Sequence, residues 1–191
     1  MSSWMNRRFA AAFWKTDMRA CIVYSSRTGN TRAVGEYLAG RFSLPLFSVA
    51  EAPSSGYDGF VLGFWTWRGG PDAAMLAFME HLQAKNVFYF GTMAALPDSP
   101  HAARCALRTD RILEEAGCRV LGHFFCQGRL DPQVLAKSTH PRTPERMARL
   151  REAARHPDMQ DFRRAEACLR RALGTGEAFS PGPDVDASCG A

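Results

Sequence analysis

No apolar stretch in this chain is long enough to cross a bilayer: the longest uncharged run of its central part, 86–97, stops at Pro97, whereas a spanning helix needs about 20 apolar residues. The N-terminal run 9–14 is too short for the apolar part of a secretory signal, and no A-x-A site follows it. The six cysteines (Cys21, Cys105, Cys118, Cys126, Cys168, Cys189) form no C-x-x-C pair. That argues against zinc, iron–sulfur and dithiol chemistry and for buried free thiols in a reducing, cytoplasmic setting. His81, His101, His123, His140 and His156 never fall at H-x-x-x-H spacing, so no metal site is expected. A G-x-S-x-G elbow is missing too, and with it the support for hydrolysis. Neither a Gly-Lys-Ser/Thr phosphate loop nor a Gly-x-Gly-x-x-Gly fingerprint occurs, which removes the two commonest nucleotide-binding motifs. No internal repeat is visible, and no residue stands out as catalytic.

What is present is ordinary globular composition over 191 residues, 46% apolar and 23% charged, enough for one domain with appendages. The net charge of +5 is concentrated: between Lys137 and Arg171 ten basic residues face five acidic ones, and the rest of the chain balances. So localised a charge does not suggest nucleic acid. It reads as a docking surface for an acidic partner, containing Arg163, Arg164, Arg170 and Arg171, as a weak polyanion site or as a solvated face.

Apolar runs and helical patterns alternate along the chain. Strands are expected at 20–25, 44–49, 59–64, 86–91 and 119–126, with helices at 29–42, 71–83 and 100–116. Five apolar, β-branched or aromatic runs separated by helices read as a parallel sheet covered on both faces. After Gln127-Gly128, prolines break the chain until Thr143-Pro144 opens a helix to about Arg155; a second helix runs to about Leu173. Both are expected to pack on the sheet. The organisation expected is an N-terminal extension (1–17), an α/β core (18–130), a helical C-terminal extension (131–173) and a disordered tail (174–191) with little to bury.

The chain is organised around Ser25-Ser-Arg-Thr-Gly-Asn-Thr31, where a strand-like run ends in hydroxyl residues and Gly29 just as a helical pattern begins. Ser25, Ser26, Thr28 and Thr31 supply hydroxyls and Gly29 permits a positive-φ turn. The N–H groups opening the helix would point at the same spot, a natural seat for a phosphate dianion. Ser26-Arg27-Thr28-Gly29-Asn30-Thr31 resembles the Thr/Ser-x-Thr-Gly-Asn-Thr loop with which flavodoxins hold the phosphate of FMN. The resemblance implies a flavodoxin-like doubly wound sheet of five parallel strands, order 2-1-3-4-5, whose ligand lies at the carboxyl ends of the strands.

Two further stretches should converge there. Gly63-Phe-Trp65-Thr66-Trp67-Arg-Gly69-Gly70 resembles the Ser-Thr-Trp-Gly loop beside the flavin ring of flavodoxins. An indole offers a flat face for stacking, and Gly69 or Gly70 would let a backbone carbonyl turn toward the ring. The third stretch begins at Gly91-Thr92-Met93 and lacks the aromatic that flavodoxins commonly place on the other flavin face. Either Met93 or Leu96 packs there, or that face is open. The basic tail is a second departure from a usually acidic family. The resemblance thus implies FMN and electron or hydride transfer between a reductase and an acceptor protein docking at the basic tail, with no nucleic acid or membrane. The alternatives are an FMN-dependent reductase, or reductase partner subunit, for a small conjugated substrate such as a tetrapyrrole (as with the short flavodoxin-like proteins accompanying bilirubin reductase), and a binding module that has lost the flavin.

Overall fold

In the computed structural model, residues 19–53, 55–174 and 189–190 are described. The N-terminal extension expected at 1–17 lies outside them, as does most of the expected tail. Strands β1 (Ala20–Tyr24), β2 (Leu46–Ser48), β3 (Gly59–Trp67), β5 (Asn86–Met93) and β6 (Arg119–Gln127) pair in parallel in the order β2-β1-β3-β5-β6. That is the doubly wound order expected. Two short antiparallel pieces are added: β4 (Gly70–Pro71) turns back on β3, and β7 (Cys189–Gly190), within the segment expected to be disordered, lies along β6.

Alternation along each strand divides the core into two layers. Cys21 and Val23 of β1 face one way and join Phe60, Leu62 and Phe64 beneath α2 (Ala73–Glu80) and α3 (Pro100–Glu115). Ile22 faces the other way and joins Val61, Phe88 and Phe124 beneath α1 (Asn30–Phe42) and α6 (Met159–Leu173). Local chemistry sets the helix ends. Ser99 caps α3 with Pro100 in its first turn, and Thr143 caps α5 (Pro144–Ala153) in the same way. The helix expected at 71–83 is shorter, because Pro71 belongs to β4 and the Asp72 side chain caps α2.

Of the tail helices, α6 is the fourth covering helix of the sheet, burying Ala165, Leu169 and Leu173. By contrast, α5 buries only Ala153. A short helix that precedes both in the chain, α4 (Pro132–Ala136), was not expected. His156, Asp158 and Asp161 gather ligand atoms within 4.8 Å of one another. Their bonds, however, are those of a helix start: Asp158 and Asp161 form a capping box, and His156 Nδ1 shares the Asp161 carboxylate. Cys21, Cys105, Cys118 and Cys126 are free and buried as expected, but Cys168 is disulfide-bonded, which corrects the expectation of free thiols throughout.

A partly buried ionic cluster holds α6 to α1. Glu166 receives Arg41 Nε and Nη2 at 3.0 Å, Tyr37 Oη at 2.8 Å and Arg170 Nη2 at 2.8 Å. Burial acts to raise the Glu166 carboxyl, but the hydrogen bonds from Arg41, Arg170 and Tyr37 outweigh it and hold the group down to about 2. A carboxylate so depressed contributes stability above its unfolded pKa and loses it as pH falls through the folded one. The Glu166→Gln variant should therefore be less stable than the parent at pH 7 by about 1 to 3 kcal/mol in urea unfolding. The difference should shrink as the pH is lowered from about 4.5 toward 2, the interval bounded by the group's ordinary and folded values.

Candidate functional site

Because β1, β3 and β5 are neighbours, their carboxyl ends bring together 25–31, 65–70 and 92–94, and the chain leaving β6 joins them at 127–131. The turn after β1 depends on Gly29, whose φ of 89° lies in the left-handed region. Gly29 also occupies the N-cap of α1, and no side chain caps that helix. Each of the other five described helices is capped by a side chain, from Asp72, Ser99, Asp131, Thr143 and Asp158. The first N–H groups of α1 thus lack the side-chain acceptor that the other described helices have, and could take an anion. In the same turn, the hydroxyl of Ser26 is buried with no hydrogen-bond partner among the described residues.

The remaining hydroxyls of the loop have separate duties. Ser25 donates to buried Asp72 at 2.8 Å, tying the first turn to the start of α2. Burial raises the Asp72 carboxyl above the usual range, against the hydrogen bonds from Ser25 and the Met75 and Ala74 amides. Thr31 Oγ1 lies 2.9 Å from Thr92 Oγ1, both buried, and so joins α1 to β5. Thr28 is exposed and accepts from Asn30 Nδ2 at 2.9 Å. Asn30 in turn donates to the Arg129 carbonyl at 3.0 Å, bringing the chain after β6 onto the loop. Gly128 makes that approach possible, since a Cβ there would lie 2.7 Å from Asn30 Nδ2.

The tryptophan stretch, expected as a loop, is a β-hairpin. β3 continues through Trp67, and Arg68-Gly69, at φ 50° and 79°, turn the chain tightly into β4. Residues two apart on a strand share a face, so Trp65 and Trp67 stand side by side with ring centroids 5.6 Å apart. The Arg27 guanidinium lies 5.6 Å from the Trp65 ring and that of Arg68 5.7 Å from the Trp67 ring. Trp67 is 39% exposed. Gly70 is buried against the Arg108 side chain, with 3.0 Å between a Cβ placed there and the Arg108 Cδ. Gly91 packs beneath the ring of Phe125, so its missing side chain serves the core. Thr92 and Met93 belong to β5 and are buried, Thr66 and Ala94 line the cleft, and Leu96 is exposed.

Sequence reasoning missed the wall opposite the tryptophans. Asp131 pairs with Arg27 and also caps α4 through the Gln133 amide at 2.7 Å. The Gln133 amide, with Arg27 behind it, holds the Asp131 carboxyl below its usual range. Farther on, Arg146 of α5 clamps the chain that follows α4, donating to Ser138 Oγ at 3.1 Å and the His140 carbonyl at 3.2 Å. The only sequence signal for this wall was Gly128 followed by Asp131-Pro132, a helix-start pattern. Replacing Asp131 by Ala should loosen it: amide exchange over 133–137 should quicken by about 2- to 30-fold, the range of a lost cap, while the β5 amides keep their protection. Unchanged exchange over 133–137 would mean that Asp131 does not hold the wall.

Residues 21–170 match the family model described as "Flavodoxin domain". Among curated proteins, the chain is 26% identical over 162 residues to the flavodoxin-like domain-containing protein BilS of Clostridioides difficile (strain CD3), covering 76% of this chain and 90% of that one. It is 28% identical over 146 residues to the protein of the same name from Clostridium symbiosum (strain WAL-14163), covering 63% and 73%. Among solved structures, oxidised flavodoxin 1 from Bacillus cereus aligns at 17% identity with a TM-score of 0.47, over 75% of this chain and 95% of that one.

Proposed function

The chain belongs to the flavodoxin domain family, and from that premise we propose that it binds FMN and passes electrons or hydride between a reductase and an acceptor. The observation that carries this reading is the uncapped N-terminus of α1 in the same turn as the buried hydroxyl of Ser26, which has no partner among the described residues, an arrangement suited to a phosphate. FMN, when bound, supplies the redox chemistry. The chain's own part is to hold it, with the α1 amides and Ser26 on the phosphate and Arg27, Thr28 and Asn30 at the rim of the cleft. Trp65 and Trp67 offer the ring a pair of indole faces, and the buried Thr31–Thr92 bond fixes the distance between the α1 start and β5. A single uncapped helix end suits a terminal phosphate monoester and favours FMN over FAD or a nicotinamide nucleotide.

For the acceptor we propose an acidic redox protein docking at the α6 end of the molecule, where Arg163 and Arg171 are exposed. Among the described residues, no helix is long and apolar enough to cross a membrane.

The reading is tested at Ser26. Replacement by Ala removes a buried hydroxyl that has no partner among the described residues, so the flavin-free chain should be as stable as the parent or more so. FMN affinity should fall by about 10- to 150-fold, the value of a hydrogen bond to a charged group, and riboflavin, which lacks the phosphate, should bind as to the parent. These affinities can be read by titration against tryptophan fluorescence, which FMN should quench. Absence of FMN binding by the parent at tens of micromolar would overturn the assignment.

A further inference from the structure

On the side of the sheet covered by α2 and α3, one crossover carries no helix. The chain passes from β2 to β3 through 49–58, which hold no helix among the described residues and lend Val49, Ala52 and Tyr57 to that layer. Parallel strands are ordinarily joined by a longer crossover that includes a helix. The cover here is instead a run of rings meeting edge to face, with centroids 6.2 Å apart for Phe47–Tyr57, 6.1 Å for Tyr57–Phe60 and 5.9 Å for Phe60–Phe78. Phe60 is buried, but Phe47, Tyr57 and Phe78 are only half-buried. The elements around them are acidic: 46–58 and 73–80 carry Glu51, Asp58 and Glu80 and no Lys or Arg. All three carboxylates are exposed, and none has a Lys or Arg within ion-pair distance among the described residues.

We propose that this face is a docking site for the chain's own segment 7–15, with Phe9, Phe13 and Trp14 laid over Phe47, Tyr57 and Phe78. Three observations select that occupant. Its apolar residues have the right pattern, since Phe9 and Phe13 recur at the i, i+4 spacing of one helical face with Trp14 beside them. Its charge is opposite to that of the face: Arg7, Arg8 and Lys15 flank the apolar residues, and Asp17 is the single acidic residue of 1–19. Its tether is short. The Arg19 carbonyl accepts from the Asp58 amide at 2.8 Å, which fixes the start of β1 next to Tyr57 in the chain. From Trp14 to Arg19 the backbone spans at most about 18 Å, enough to reach the rings, and so short a link holds the segment at an effective concentration in the millimolar range. The anchor lies at the amino ends of β1 and β3, opposite the cleft, so the docking does not depend on a cofactor. A protein that used this face would first have to displace the segment.

The test is made on the full chain, with the photoreactive benzoylphenylalanine placed at Phe13. Irradiation should join that position to residues within 46–58 or 73–80 of the same molecule, read by peptide mass spectrometry of the monomeric product. Glu51→Gln combined with Glu80→Gln should lower the yield at low salt, and the difference should fade at about 0.5 M ionic strength. In a second measurement without the photoreactive group, Phe9→Ser combined with Phe13→Ser should quicken amide exchange over 49–58 by at least about tenfold, from the apolar cover lost, while the β6 amides keep their protection. Cross-links found only in a covalent dimer would give the face to a second copy and overturn docking within the chain. Cross-links to other elements, a yield untouched by the loss of both carboxylates, or unchanged exchange over 49–58 would overturn it as well.

Discussion

A single left-handed residue governs this architecture. Gly29 turns the chain from β1 into α1 at φ 89°, and as the N-cap it has no side chain with which to close the helix. Any other residue would meet backbone strain there, and Ser, Thr, Asn or Asp would also present a side-chain acceptor where an external one is wanted. The loop around it is braced from three directions. Ser25 reaches to α2, Thr31 to β5, and Asn30 to the chain after β6. The buried hydroxyls that look like ligands in the sequence thus include two whose bonds are internal ties. They hold the turn still, and on the function proposed such bracing would spare a bound anion the cost of ordering the loop.

Much of this was legible in the sequence, for a local reason. Strand, turn and helix at 20–42 are written in consecutive residues, and the sheet order follows from alternating strands and helices. The hairpin was legible in principle: Trp65-Thr66-Trp67 continues the alternation of a strand, but the following glycines drew the reading toward a loop. The far wall was not legible. Arg27–Asp131 spans 104 residues of chain and Asn30–Arg129 spans 99, and no periodicity within a segment signals a contact at such separation. The same holds for Gly91, whose reason for lacking a side chain is the ring of Phe125 on the neighbouring strand.

The charge of the chain changes meaning once the pairs are known. Of the basic residues between Lys137 and Arg171, Arg170 is turned back onto Glu166 and lies 5.0 Å from the centroid of the Phe42 ring. Arg146 is engaged in holding 138–141, and Arg155 pairs with Glu152. Several cations of the segment are therefore fastenings. The net charge of the segment is unchanged by these bonds, and part of it, Lys137, stands at the cleft.

That placement bears on how the site treats charge. Arg27, Arg68 and Lys137 lie along one recess with Asp131 as the nearby carboxylate, and Asp131 is bound to Arg27 and to the α4 amide. Positive potential there favours whatever adjacent group gains negative charge, in proportion to proximity and to the exclusion of water. On the function proposed, a cofactor reduced against this wall would meet a field opposite in sign to the one an acidic rim would impose. On the same reading, the wall that sequence reasoning missed would also be the element best placed to set how readily the site accepts electrons. Its hold on Arg27 through Asp131 couples that property to the phosphate loop, because the same guanidinium lies against Trp65 and follows Ser26 in the chain.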